Sequence, residues 1–197
     1  MLEMTLRLAF KNVKYQTLLS KSDYEWTVLM SDLKFEHLRH KPPAELTQER
    51  PLIIACSPLH SKVNLSTIMR TAGCCGVSEV IATGNGKVDP KIARDGAENV
   101  KLTVKRSLVP VLKKLKLDGY KLVGLEQTTN SSALGEYAFP HKCVLVIGAE
   151  RDGLSPECLE ILDAVVEIPI WGLPYSYNVA TATSICVLAY CMQYPKG

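Results

Sequence analysis

From Pro51 to the chain end, short apolar runs alternate with segments whose apolar residues recur every three to four positions. This alternation constrains the fold more than any other feature. Leu52–Cys56 is apolar throughout and suits a strand covered on both faces, whereas Leu65, Ile68, Met69 and Ala72 fall at i, i+3, i+4 and i+7 and form one face of a helix. Strands separated by helices call for parallel pairing, because a parallel connection must cross over the sheet. The pattern predicts strands at Leu52–Cys56, 79–82, 102–105, Lys121–Leu125, 144–147 and 164–168, with helices at 65–74, 91–98, 108–116, 156–162 and 178–193. The expected fold class is α/β, a parallel sheet flanked by helices. The last helix carries Val179, Ala180, Ala182, Ile185, Cys186, Val187, Leu188 and Ala189 around nearly its whole circumference. It needs cover on every side, from the chain itself or from a second subunit.

Residues 1–50 read differently, as two loosely helical stretches (5–19 and 24–38) and a stiff Lys41-Pro42-Pro43 breaker. The expected organisation is an N-terminal extension, 1–50, and a domain, 51–197. A hydrophobic share of 47% supplies a core, and 22% charged residues exclude the composition of a disordered chain. The longest apolar run, near 185–192, is too short to span a bilayer, so no membrane partner is expected. A cytoplasmic location is expected, while the mildly basic, amphipathic start leaves a mitochondrial presequence open. The seven cysteines include no Cys-x-x-Cys, and most sit in apolar runs, as reduced core thiols do. The four histidines (His37, His40, His60, His141) do not pair with cysteines at ligand spacing, so no metal is expected.

The net charge of +3 conceals an asymmetry: residues 87–121 carry ten Lys or Arg against four Asp or Glu, and residues 122–197 carry three against eight. Clustered cations suit phosphates, although Lys113, Lys114 and Lys116 also fit the solvated face of an ordinary helix.

Three strings carry chemistry. In Asn64-Leu65-Ser66-Thr67-Ile68-Met69-Arg70-Thr71, Asn64 can cap a helix, and Ser66 and Arg70 share the face opposite the apolar one. Arg70 then points from the open side of a helix that follows a strand, where α/β sheets bind ligands, or is an ordinary exposed arginine. In Gly148-Ala149-Glu150-Arg151-Asp152-Gly153-Leu154, Gly148 at a strand end admits close approach to the backbone, or serves the turn alone. In Ile168-Pro169 … Ser176-Tyr177-Asn178-Val179-Ala180, Ser176 either caps the last helix or offers its hydroxyl beside free N–H donors. Gly84-Asn85-Gly86 lacks the third glycine of a dinucleotide site, and no Gly-x-Ser-x-Gly marks a serine hydrolase.

The order and spacing of these strings resemble the SpoU/TrmH branch of the SPOUT RNA methyltransferases. Gly124-Leu125-Glu126-Gln127-Thr128 and Tyr137 … Phe139-Pro140 look closest to the catalytic domain of the tRNA (guanosine-18-2′-O)-methyltransferases. The resemblance covers roughly 51–194. It implies a C-terminal deep trefoil knot over about 148–194, a homodimer, and methyl transfer from S-adenosyl-L-methionine to a ribose 2′-hydroxyl of RNA, tRNA above all. By the same resemblance, Asn64, Arg70, Glu150, Ser176 and Asn178 are the catalytic positions. Leu125, Glu126, Gly148, Ile168, Tyr177 and Asn178 hold the cofactor. Tyr177 departs from the family's Ser-Leu-Asn-Val pattern. Two alternatives stay open: a catalytically silent RNA-binding member of the fold, and a SPOUT enzyme that methylates a base.

Overall fold

The computed structural model describes residues 36–38 and 41–197, of which Ala44–Gly197 form one compact unit. The helical stretches expected at 5–19 and 24–38 lie outside the described residues, apart from 36–38, which have no regular structure.

Every residue of β1 (Leu52–Cys56) and β6 (Cys143–Ile147) is buried, because both strands are central and covered on both faces. Around them run β2 (Glu79–Thr83), β3 (Lys101–Lys105), β4 (Lys121–Leu125), β5 (Ser132–Ala133) and β7 (Ala164–Glu167). The order across the sheet is β3-β2-β1-β6-β4-β7-β5, and all neighbouring pairs are parallel. The side-chain period of two divides each strand between two cores. Leu52, Ile54, Cys56, Leu145 and Ile147 face one, together with α1 (Lys62–Cys74) and α6 (Val179–Gln193). Ile53, Ala55, Val144 and Val146 face the other, with α4 (Leu108–Leu117) and α5 (Pro156–Leu159).

The expected elements are present with shifted ends. The helix expected at 91–98 is two short ones, α2 (Pro90–Ala93) and α3 (Gly96–Asn99), broken at Arg94, whose φ of +50° no helix accommodates. β5 was not expected: two residues at the sheet edge carry no readable alternation. Helix α5 stops at Leu159 instead of 162, and the chain turns there into β7.

Two expectations are corrected. Asn64 does not cap α1, which begins a turn earlier with Ser61 at the cap position; Asn64 lies within the helix, buried. Ser66 does not share an open face with Arg70. It is fully buried, accepts the Asp89 N–H at 2.8 Å and donates to the Lys62 carbonyl, because the segment leading into α2 packs over it. The predicted apolar face of Leu65, Ile68, Met69 and Ala72 is buried throughout.

Helix α6 buries Ala180, Thr183, Cys186, Val187 and Tyr190 on one stripe. The opposite stripe is not covered by the described residues: Leu188 is 55% and Met192 74% exposed. Residues 44–50 run beside the chain end. The Thr47 N–H and hydroxyl both donate to the Lys196 carbonyl, and the Gln48 amide donates to that of Gly197.

Candidate active site

The carboxyl ends of β1, β4, β6 and β7 bring the three strings together. Glu150 stands in the turn after β6, which is closed by paired backbone bonds between Ala149 and Gly153 (2.9 and 3.1 Å). Its carboxylate reaches the start of α1. Oε1 accepts from the Ser61 N–H and from Asn64 Nδ2, both at 3.0 Å, and Oε2 accepts from the His60 N–H at 3.0 Å. Asn64 Oδ1 in turn accepts from Asn178 Nδ2 at 3.1 Å. Asn178 is the N-cap of α6, its Oδ1 accepting from the Ala180 and Thr181 N–H groups. One chain of hydrogen bonds thus links helix α1, the 148–153 turn and helix α6.

Burial raises the pKa of Glu150, but the His60 and Ser61 N–H groups and the Asn64 amide outweigh it and hold the pKa at about 2. Glu150 is therefore a fixed anion and a poor proton acceptor. Its observed role is to satisfy free donors at the entry to α1, a task local sequence rules assign to a nearby residue.

Beside this chain of bonds lies a cavity of about 420 Å³. Leu125, Glu126, Gly148, Ile168, Tyr177 and Asn178 all line it, and so do Glu150 and Ser176. Gly148 has no room for a side chain: a Cβ there would stand 2.6 Å from the Gly153 carbonyl carbon and 2.9 Å from the Leu154 nitrogen. Gly153 is itself held at φ +63°, against the Glu126 carboxylate. Glu126 accepts from the Gln127 and Leu154 N–H groups, both at 3.0 Å, and so ties β4 to the turn. Gln127 Nε2 donates to the Tyr175 carbonyl at 3.3 Å, anchoring the 169–178 loop above the cavity.

Asn64 and Arg70 are not lining residues. Asn64 acts through its bonds to Glu150 and Asn178. Arg70 sits six residues further along α1, about 9 Å by helical rise, exposed and in no ion pair among the described residues. Gln127, Arg151, Glu167, Ile170, Val179 and Ala182 also line the cavity and were not expected. They flank residues of the motifs by one to four positions, which was the available signal.

The sequence signature of the SpoU rRNA Methylase family matches residues 51–188, the whole of the sheet and most of α6. The chain belongs to the SpoU rRNA Methylase family. Among relatives of this SpoU chain, the tRNA (guanosine(18)-2′-O)-methyltransferase TARBP1 of Mus musculus is 29% identical over 177 residues, 87% of this chain and 11% of that protein. The chain spans about a tenth of the length of the first such relatives. The crystal structure of the A. aeolicus TrmH/SpoU tRNA modifying enzyme matches with a TM-score of 0.71 at 28% identity, over 77% of this chain and 79% of that one. The SpoU methyltransferase AviRb from Streptomyces viridochromogenes, solved in complex with AdoMet, shares the fold at 23% identity and a TM-score of 0.65, over 79% of this chain and 67% of that one.

Proposed function

We propose that this chain transfers a methyl group from S-adenosyl-L-methionine to a ribose 2′-hydroxyl of RNA, with tRNA as the substrate class. The hydrogen-bonded link from Asn178 through Asn64 to Glu150 carries this reading, because it joins all three family motifs around one cavity. The cavity fits the cofactor: its volume lies in the small-molecule range, and Gly148 in its lining lets the 149–153 turn pack closely enough to shape the wall.

S-adenosyl-L-methionine, when bound, supplies a sulfonium methyl open to in-line displacement by a hydroxyl. The chain supplies placement. Gly148, Ile168 and Tyr177 offer backbone groups at the cavity wall. Glu126 keeps a lone pair on each oxygen for a sugar hydroxyl while its other bonds hold Leu154 and Gln127. Ser176 presents a hydroxyl at the mouth. A guanidinium holds its proton at any pH where proteins fold, so Arg70 serves as a phosphate clamp that orients the attacking ribose. Glu150 and Asn64 fix the helix that carries Arg70. Exposed Trp171 and Tyr175, on the loop over the cavity, offer faces on which unpaired bases can stack.

The finer fold features belong to the same reading. β6 enters between β1 and β4, and β7 between β4 and β5, an order consistent with a trefoil knot over 148–194. The uncovered stripe of Leu188 and Met192 is paired, in this proposal, with the same stripe of a second copy. Met192→Glu should then shift sedimentation from dimer to monomer at micromolar concentration, whereas a monomeric parent chain overturns the pairing.

The decisive experiment incubates the chain with labelled S-adenosyl-L-methionine and bulk tRNA, then hydrolyses the RNA in alkali. Label retained in alkali-resistant dinucleotides supports ribose methylation. Label in mononucleotides identifies a base methyltransferase, and RNA binding with neither label nor cofactor binding identifies a silent member of the fold.

A further inference from the structure

A second cavity, of about 900 Å³, adjoins the first across the 149–153 turn. Ala149 and Gly153 line both, so the turn is a shared wall. The second cavity lies between the carboxyl ends of β1 and β2 and the starts of α4 and α5, and the reaction proposed above makes no use of it.

Its sheet side carries hydroxyls. Backbone pairing continues one residue past β1, where the Ser57 N–H donates to the Ile147 carbonyl at 2.8 Å. Ser57 therefore follows Ile53 and Ala55 onto the α4 side of the sheet. It is only 7% exposed, yet its hydroxyl makes no hydrogen bond among the described residues and opens onto the cavity. A polar group buried so far without a partner carries a cost that a ligand atom would remove. Thr83 lines the cavity as well; it donates to the Cys56 carbonyl at 3.0 Å and can still accept.

The helix side is positive. Helix α4 has ten residues, and the side chain of Ser107 at its cap position accepts nothing from it. The Leu108 and Val109 N–H groups at its entry thus have no acceptor among the described residues. Arg106, just before them, is exposed and in no ion pair among the described residues. Free N–H groups with a guanidinium beside them suit a phosphate. Pro58 and Pro156 add apolar walls, and Asp152 and Glu157 stand on the side of the turn and α5. Carboxylates repel a phosphate but accept from the amino group of a base. An inorganic anion would use the α4 end alone and leave the walls, the hydroxyls and the carboxylates without a role.

We propose that this cavity binds a 5′-nucleotide unit. Its phosphate sits at the start of α4 with Arg106, its sugar meets the Ser57 and Thr83 hydroxyls, and its base lies between the apolar walls with an amino group towards Asp152 or Glu157. The unit is either a free nucleotide or one residue of a bound RNA strand. The first form stands by itself. The second rests on the reading of this chain as an RNA methyltransferase, and the shared turn would then seat that residue next to the cofactor.

The test titrates the full chain, without S-adenosyl-L-methionine, with cytidine 5′-monophosphate, cytidine, uridine 5′-monophosphate and a short oligocytidine, followed by calorimetry. Cytidine, which lacks the phosphate, should bind about tenfold more weakly than its monophosphate. The uridine nucleotide, which lacks the amino group, should also bind more weakly. Arg106→Gln should weaken the cytidine nucleotide about tenfold, and Ser57→Ala about threefold, while the melting temperature of Ser57→Ala is unchanged or raised because the lost hydroxyl had no partner. An oligocytidine that binds more tightly than the mononucleotide and is weakened by the same substitutions assigns the cavity to an RNA strand. An oligocytidine indifferent to them, beside a mononucleotide that responds, assigns it to a free nucleotide. Binding of both ligands unaffected by either substitution, absence of any binding, or inorganic phosphate competing as well as the nucleotide would overturn the site. Failure of methyl transfer by the parent chain would sink the proposed reaction and leave the mononucleotide result standing.

Discussion

Asn178 donates from its side-chain amide to the Asn64 side-chain oxygen across 3.1 Å, joining two residues 114 positions apart at the starts of helices α1 and α6. The same Asn178 oxygen caps α6. One side chain therefore orders a helix terminus and fixes the first motif against the third.

The two duties separate by substitution. Asn178→Asp keeps the capping oxygen but turns a second oxygen towards Asn64 Oδ1, and so should cost about 1 kcal/mol. Asn178→Ala loses cap and bond together and should cost about 2 kcal/mol. Urea unfolding measures both, and calorimetry should find the affinity for S-adenosyl-L-methionine lowered in each. A smaller loss for alanine than for aspartate would mean that the cap contributes little.

Glu150 predicts a pH dependence. Its folded pKa, about 2, lies below the ordinary 4.5, so its contribution to stability is fully present above pH 4.5 and is lost as the pH falls towards 2. Glu150→Gln should flatten that part of the stability profile and also lower stability at neutral pH, since an amide nitrogen then faces backbone donors. Thermal unfolding of both proteins between pH 2 and pH 7 makes the comparison, and parallel curves would remove Glu150 as the anion that holds α1.

Much of this arrangement was legible beforehand, for identifiable reasons. The strands and the apolar face of α1 follow from periodicity, and all six residues expected to hold the cofactor line the cavity because the motifs sit at strand ends. What escaped was non-local. Asn64 looks like a cap because capping rules consider only neighbours, yet the acceptor at that helix entry is Glu150, 89 positions from Ser61. Ser66 looked open because helical periodicity cannot foresee the Asp89 segment lying over it. The all-apolar composition of α6 asked for cover on every side, whereas among the described residues one stripe, with Leu188 and Met192, stays bare.

Gly148 is predicted to be irreplaceable on steric grounds. The atoms a Cβ would meet at 2.6, 2.7 and 2.9 Å are all backbone of Gly153 and Leu154, which cannot move aside as a side chain would. Gly148→Ala should cost about 1–3 kcal/mol or more and abolish cofactor binding. Gly135→Ala is the control: nothing lies within 4 Å of its Cβ position, so stability and binding should stay unchanged. Equal behaviour of the two variants would mean that the 149–153 turn shifts freely.

Arg70 provides the last prediction. It is exposed and makes no ion pair among the described residues, so Arg70→Ala should change stability by no more than about 0.5 kcal/mol. Because Arg70 does not line the cavity, affinity for S-adenosyl-L-methionine should also be retained. Methyl transfer to tRNA should nevertheless fall at least a hundredfold, since orienting the hydroxyl is the main service the chain can give so weak a nucleophile. As a phosphate contact, the residue should also contribute about one unit to the salt dependence of RNA binding, lost in the variant. Arg70→Lys keeps the charge without the planar fork, and should restore the salt dependence while recovering only part of the rate. Full activity in Arg70→Ala would exclude the arginine from the reaction and leave it an ordinary surface residue of α1.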